Sequence, residues 1–191
     1  MKVGVLGLQG DVREHVRALE AAGAHPIVVK RPHEVDTVDG LVLPGGESTT
    51  IGKLLDRFGL LGPIAQRARA GMPLYGTCAG LILMARDVVG REGAPHKLAV
   101  LDVVVRRNAY GRQVDSFETD LEVSGLERPF RAVFIRAPAI ESARDGVEVL
   151  ARHDDAPVLV RQERLLASSF HPEMTGDGRI HELFVDMVEE S

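Results

Sequence analysis

A single cysteine, Cys78, sits in the segment Tyr75-Gly76-Thr77-Cys78-Ala79-Gly80. Apolar residues precede and follow it, so the segment reads as a sharp turn from a strand into a helix, with a glycine two residues to either side. This is the elbow pattern of a nucleophile, with Cys in place of Ser. Glycines let the backbone turn tightly, and neighbours this small leave the thiol open. A helix N-terminus offers unpaired N–H groups and a dipole that favour a thiolate. One cysteine can form neither an intramolecular disulfide nor a thiolate metal cluster. A lone cysteine is commonly a small buried hydrophobe, but its position on the elbow favours a nucleophile.

A nucleophile needs a base, and the chain has seven histidines. His15, His25 and His33 fall on or beside early helices and loops and are expected at the surface. His96 and His153 lie in polar, loop-like stretches, and His181 lies in the last helix. His171 differs, because it ends an apolar strand in the sequence His171-Pro172-Glu173. Functional groups of a parallel sheet gather at strand carboxyl ends, and Cys78 also follows the end of its strand. Pro172 biases His171 towards an extended backbone, in which residues i and i+2 project to one side. Glu173 is therefore expected to reach the imidazole, fix its tautomer and stabilise its cation.

The third element is Leu43-Pro44-Gly45-Gly46-Glu47-Ser48. Gly45 and Gly46 at a strand end allow backbone N–H groups to form half of an oxyanion hole, with the Ala79 N–H as the other half. The loop is not a phosphate loop. Five residues rather than four separate Gly46 from Gly52, and Lys53 is followed by Leu54 instead of Ser or Thr. Gly4, Gly7 and Gly10 are likewise misspaced for a dinucleotide fingerprint.

Strands and helices must position these groups, and the first half of the chain alternates them. Lys2–Leu8, Pro26–Lys30, Gly40–Leu43 and Pro73–Tyr75 read as strands. Asp11–Ala22, Ser48–Phe58, Pro63–Ala70 and Ala79–Arg86 read as helices. Nearly continuous apolar strands between amphipathic helices indicate a parallel sheet covered on both faces. The second half is richer in strands: Ala99–Arg106, Phe117–Val123, Arg131–Ile135, Val147–Ala151, Pro157–Arg161 and Arg164–Phe170, with a closing helix Ile180–Glu190. The expected fold is α/β, a three-layer α/β/α flavodoxin-like domain with an antiparallel excursion in the middle. At 191 residues the chain is expected to form one domain, 1–191.

Composition narrows the function further. Lys and Arg number 23 against 28 Asp and Glu, a net charge of −5, with six Phe, two Tyr and no Trp. Such a chain lacks the basic stripe and stacking platforms of a nucleic-acid binder. The cluster Arg106, Arg107, Arg112 suits a small anion or a solvated surface. The first apolar run is broken by glycines and soon followed by charges, so it reads as a strand and not as a signal peptide. No membrane association is expected, and the cytoplasm is the expected location.

Taken in order, the Gly-Thr-Cys-Ala-Gly elbow, the Pro-Gly-Gly-Glu-Ser loop and the His-Pro-Glu strand end resemble class I, triad-type glutamine amidotransferases. Gly7-Leu8-Gln9-Gly10, Pro44–Thr50, Gly76–Leu81, Gly111-Arg112-Gln113-Val114-Asp115-Ser116-Phe117 and Ser169–Glu173 bring the chain closest to the glutaminases that serve pyridoxal 5′-phosphate synthase. The resemblance runs from Val3 to about Glu190. The glutaminase of imidazole glycerol phosphate synthase is similar in size but differs in the loop and the elbow. The resemblance implies Cys78, His171 and Glu173 as catalytic residues, with no cofactor or metal. It further implies that Gly46, Glu47, Ser48, Arg107, Ile135 and Arg136 bind L-glutamine. An arginine suits the α-carboxylate, and Glu47 would accept from the α-ammonium. It implies a synthase subunit that receives the ammonia and, on docking, orders the Gly45–Gly46 peptide. A γ-glutamyl hydrolase or cysteine peptidase of related fold, or a silent binding module, are the rival readings.

Overall fold

The computed structural model describes residues 1–90, 95–107 and 116–191. The chain begins with β1 (Lys2–Leu6), α1 (Val12–Ala21), β2 (His25–Val29), a short α2 (Pro32–Val35) and β3 (Gly40–Leu43). Next come α3 (Ser48–Arg57), α4 (Leu61–Arg69), β4 (Leu74–Thr77) and α5 (Ala79–Met84). A strand-rich stretch follows: β5 (Ala85–Val89), β6 (Leu101–Arg106), β7 (Ser116–Leu121), β8 (Phe130–Ile135), β9 (Ala139–Ala143), β10 (Glu148–His153) and β11 (Ala156–Gln162). Finally β12 (Leu165–Ser168), a 3-10 turn (Pro172–Met174) and α6 (Arg179–Glu189) close the chain.

The main sheet has seven strands in the order β10-β11-β12-β4-β3-β1-β2. From β12 to β2 every pairing is parallel, and β10 and β11 extend that edge antiparallel. Alternate residues of each strand face opposite sides. Val3, Val5, Val42, Tyr75 and Leu166 pack with Leu19 of α1 and with Ile180 and Phe184 of α6. Leu6, Leu41, Leu43, Leu74 and Ala167 pack on the other side with Ile51 and Leu55 of α3, Ile64 of α4 and Leu83 of α5. Two cores on two faces are the three-layer arrangement that the alternating pattern requires, each fully buried Leu or Ile contributing about 2 kcal/mol.

The antiparallel excursion divides into a three-stranded sheet, β5-β6-β9, and a hairpin, β7-β8. The helix expected over Ala79–Arg86 is shorter than its apolar pattern suggested. At Ala85 the backbone turns extended, with φ −57 and ψ 139, and continues as β5 beside β6. The β-branched pair Val88-Val89 favours a strand once a partner is available. Neither α2 nor β9 was expected. Pro32 in the first turn of α2 and the Glu34 carboxylate, accepting from the Lys30 and Arg31 N–H groups at 2.6 and 2.8 Å, are a start signal carried by one turn of helix. β9, Ala-Ile-Glu-Ser-Ala, has weak strand propensity and exists through its pairing with β6. Arg112, with Gly111 to Asp115, and residues 91–94 lie outside the described residues.

Candidate active site

Sheet register brings the chemistry together. Gly76 of β4 pairs with Leu43 of β3, and Thr77 pairs with Ser168 of β12, so these strands end side by side. Cys78 follows at φ 48 and ψ −97, outside the conformations a cysteine prefers. Such a backbone costs about 1–3 kcal/mol and persists when neighbours fix it. Here the Cys78 N–H donates to the Ser168 carbonyl at 2.8 Å, and its carbonyl accepts from the Ile82 N–H at 3.3 Å. The flanking glycines answer a packing demand as well as a turn. A Cβ on Gly80 would lie 2.1 Å from the Leu43 carbonyl oxygen, and one on Gly76 would lie 2.6 Å from the Gly80 carbonyl carbon. The Cys78 Sγ sits 3.9 Å from the Ile135 carbonyl oxygen.

His171 leaves β12 with its N–H on the Val133 carbonyl at 2.8 Å, and its ring is buried. Its Nδ1 lies 2.7 Å from Glu173 Oε1, the contact expected from the His-Pro-Glu spacing. Burial works against a charged ring. The Cys78 sulfur and the Glu173 carboxylate more than offset this and raise the His171 pKa to about 10. The ring therefore holds a proton at neutral pH, before any substrate arrives. Burial also opposes the charge of Glu173, yet His15 and His171 facing it hold its pKa below the ordinary value. Asp11 Oδ2 lies 3.5 Å from the same Nδ1, and burial and the Glu173 charge raise the Asp11 pKa. Asp11, His171 and Glu173 are the group whose ligand atoms converge closely enough for a cation among the described residues. Glu173 keeps a proton on the His171 Nδ1, which leaves that nitrogen no lone pair for a metal.

A cavity of about 420 Å³ opens over the thiol, lined by Cys78, Ala79, His171, Gly46, Glu47, Ser48, Arg107, Ile135 and Arg136 together with Gln9, Asp11, Ile82 and Met174. It is the size of a small-molecule site. All six residues expected to hold substrate line it. Glu173 stands behind His171, and Gly45 packs on the ring, where a Cβ would come 2.4 Å from His171 Cε1. Ala79 opens α5, so the helix gives its N–H no partner. The Gly45 carbonyl accepts from the Asp11 N–H at 3.2 Å, so the trans Gly45–Gly46 peptide turns its N–H the other way. Arg106 is drawn away by Glu141, whereas Arg107 reaches Glu47 Oε1 at 3.3 Å.

Glu47 has a second duty. Its carboxylate caps α3, accepting from the Thr49 N–H at 3.0 Å and from the Thr50 N–H and hydroxyl, both at 2.7 Å. Burial opposes its charge, but these bonds hold its pKa down at about 2. With Arg107 added, the lone-pair positions of the carboxylate are taken, so a substrate ammonium would have to compete for them.

Sequence reasoning missed the layer beneath. His15 and His181, expected on the surface and simply within the last helix, are both fully buried. His15 Nδ1 lies 3.0 Å from His181 Nε2, and His15 Nε2 lies 3.1 Å from Thr77 Oγ1 and 3.5 Å from Glu173 Oε2. Spacing held the signal. His15 is four residues before Leu19, and His181 is three before Phe184, so both sit on the inward stripes of their helices. Gln9, a member of the Gly7-Leu8-Gln9-Gly10 motif, also lines the cavity, and its Oε1 accepts from the Glu47 N–H at 2.9 Å.

Fold and site together describe an α/β amidohydrolase with a cysteine at the strand ends. The chain belongs to the SNO glutamine amidotransferase family, whose pattern matches residues 5–190. A pyridoxal 5′-phosphate synthase subunit PdxT from Frankia casuarinae is 61% identical over 191 residues, covering 100% of this chain and 96% of the relative. A glutamine amidotransferase of known crystal structure superposes with a TM-score of 0.93 at 50% identity, covering 98% of both chains. A chain of PurLQS from Thermotoga maritima has a TM-score of 0.69 at 19% identity, covering 99% of this chain and 95% of that one, a likeness of fold alone.

Proposed function

We propose that the chain, acting as one domain over residues 1–191, hydrolyses L-glutamine to L-glutamate and ammonia and delivers the ammonia to a pyridoxal 5′-phosphate synthase subunit. The observation that carries this reading is that Cys78 and His171 share one cavity wall, with the Glu173 carboxylate on His171 from behind, in a chain of the glutamine amidotransferase family. The Cys78 sulfur attacks the side-chain amide carbon of glutamine. The oxygen becomes anionic and is met by the N–H groups of Ala79 and the Gly45–Gly46 loop, each worth on the order of 3 kcal/mol. His171 gives its proton to the departing nitrogen, the C–N bond breaks, and a γ-glutamyl thioester remains. The neutral ring then takes a proton from water, whose oxygen attacks the thioester carbon. The C–S bond breaks, glutamate leaves and the sulfur is restored. No cofactor or metal takes part.

Arg107 and Arg136 line the cavity, which supports a role for them in forking onto the α-carboxylate. Gly46, Ser48 and Ile135 offer the backbone and small groups around the rest of glutamine, and Glu47 offers its carboxylate to the ammonium. Ammonia in water at neutral pH is mostly protonated and a poor nucleophile, which favours direct hand-over to a bound synthase. A reduced lone thiol suits the cytoplasm, and no helix among the described residues is long and apolar enough to cross a membrane.

Glutamate release from glutamine, measured with and without the synthase subunit, tests the reading. Activity that rises on adding the synthase and vanishes in Cys78→Ala supports it. Retention of most activity in Cys78→Ala overturns the nucleophile, and equal rates with and without the synthase remove the activation. Faster turnover of γ-glutamyl peptides than of glutamine would instead favour the peptide hydrolase.

A further inference from the structure

Directly beneath Glu173 the structure holds a pair of imidazoles that the glutaminase reaction does not use. His15 enters from α1 and His181 from α6, and both are fully buried. Only one Glu173 oxygen serves His171. The other, Oε2, is buried with no hydrogen bond that meets ordinary geometry, and His15 Nε2 lies 3.5 Å from it. A buried carboxylate oxygen left without a donor is costly, so what His15 presents to it matters.

Two proton arrangements are open to the pair. In one, His15 Nδ1–H donates to His181 Nε2. His181 must then carry its proton on Nδ1, a buried atom with no partner, while the bare His15 Nε2 points a lone pair at the carboxylate. Thr77 could donate to that nitrogen, but this would not relieve the anion. In the other arrangement, His181 Nε2–H donates to His15 Nδ1 across 3.0 Å. His15 then carries its proton on Nε2, facing both Thr77 Oγ1 at 3.1 Å and Glu173 Oε2 at 3.5 Å. The unpartnered His181 Nδ1 is then merely an unfilled lone pair, which costs less than a buried N–H without an acceptor.

We propose that His15 is a positioning residue for the reaction: its Nε2–H holds the outer oxygen of Glu173, with His181 fixing the tautomer from behind, so that Oε1 stays aimed at His171 Nδ1. His15 touches neither the cavity nor the thiol and acts only through Glu173. The titratable groups that act on that carboxylate are His171 at the strand end, Asp11 and His15 by α1, Tyr75 of β4 and His181 of α6, with Cys78 beyond His171 and Glu14 beyond Asp11 and His15. His15 alone among them faces Oε2 as a donor.

The inference rests on the glutaminase reading for its effect on turnover, so the test includes a readout that needs no glutamine. Cys78 is the only cysteine, and alkylation of the intact chain by iodoacetamide therefore reports one thiol. In His15→Leu the midpoint of the alkylation pH profile is expected to move to higher pH, because a carboxylate without its donor supports the His171 cation less. With the synthase present, kcat for glutamine should fall at least tenfold with KM within threefold. His15→Gln places an amide N–H where Nε2 stood and should recover most of kcat and the original profile. Equal kcat and an unmoved alkylation profile in His15→Leu would reduce the pair to core packing and overturn the proposal. Should the variants fail to fold, ring 15N shifts of the unaltered protein decide: the Nε2–H tautomer at His15 supports it, and the Nδ1–H tautomer refutes it. Absence of glutaminase activity in the unaltered complex would overturn the proposed function, with alkylation and tautomer still judging the arrangement itself.

Discussion

Glu173 turns back on its own chain to place Oε1 2.7 Å from Nδ1 of His171, with Pro172 between them as the spacer. A carboxylate so near in sequence needs no distant element to aim it. This contact also explains why a buried ring keeps a proton, since Glu173 supplies the opposing charge on one side and Cys78 the sulfur on the other. Glu173→Gln keeps the size and removes the charge. Turnover of glutamine with the synthase is expected to fall on the order of 10⁴-fold, as when a triad carboxylate becomes an amide. Steady-state glutamate release measures it; a loss under tenfold would mean that Glu173 only fills space.

Two buried histidines should shape stability against pH in opposite senses. The His171 pKa rises in the fold to about 10, so its stabilisation is complete below its ordinary value near 6.5 and is lost as pH climbs through 10. For His181, burial and the adjacent His15 lower the pKa to about 3. Its unfolded form binds a proton that the folded form refuses, so stability falls as pH drops from about 6.5 towards 3. Thermal midpoints measured from pH 4 to 10 should peak near pH 6 to 7. His171→Gln should flatten the alkaline side and His181→Gln the acid side. A profile unchanged by either would refute these protonation states.

Glu47 presents a separable pair of duties. As the cap of α3 it accepts from two backbone N–H groups, and Glu47→Ala should cost about 1 kcal/mol of stability. Glu47→Asp, a shorter acid, is still an N-cap residue and should recover most of that. Both variants withdraw the carboxylate from Arg107, so KM for glutamine should rise in both. If KM moved only in Glu47→Ala, the cap alone would matter to the site.

Much of this was legible because it was local. The elbow around Cys78, the His171-Pro172-Glu173 spacing and the loop at Gly45 and Gly46 each lie within one short segment, and parallel register then fixes where the segments meet. The alternation of Val3, Val5 and Leu6 with Leu41, Val42 and Leu43 gave the two cores in the same way. What escaped was decided between elements. His15 and His181 are 166 residues apart in sequence, and only the packing of α1 against α6 makes them a pair. The strand β5 is a similar case: the helix expected to reach Arg86 stops at Met84, and β6 makes Ala85 to Val89 a strand by offering an edge. For Glu47, the motif pointed to substrate, whereas the helix it precedes determines how much of its carboxylate remains.

Gly80 tests whether the elbow depends on close packing as well as on a turn. A Cβ there would lie 2.1 Å from the Leu43 carbonyl oxygen and 3.0 Å from its carbonyl carbon. Both are backbone atoms of a central strand and cannot step aside as a flexible side chain would. Gly80→Ala is therefore expected to destabilise the fold by about 3 kcal/mol and to displace Cys78 from the cavity wall. Gly62 of α4 is the matched control, with nothing within 4 Å of an added Cβ. Gly62→Ala should instead stabilise by about 0.5–1 kcal/mol, since alanine loses less entropy in a helix. Denaturant unfolding of the two variants reads both signs. A neutral Gly80→Ala would mean that α5 can lift from β3 without cost, and the fixed position of the thiol would then need another cause.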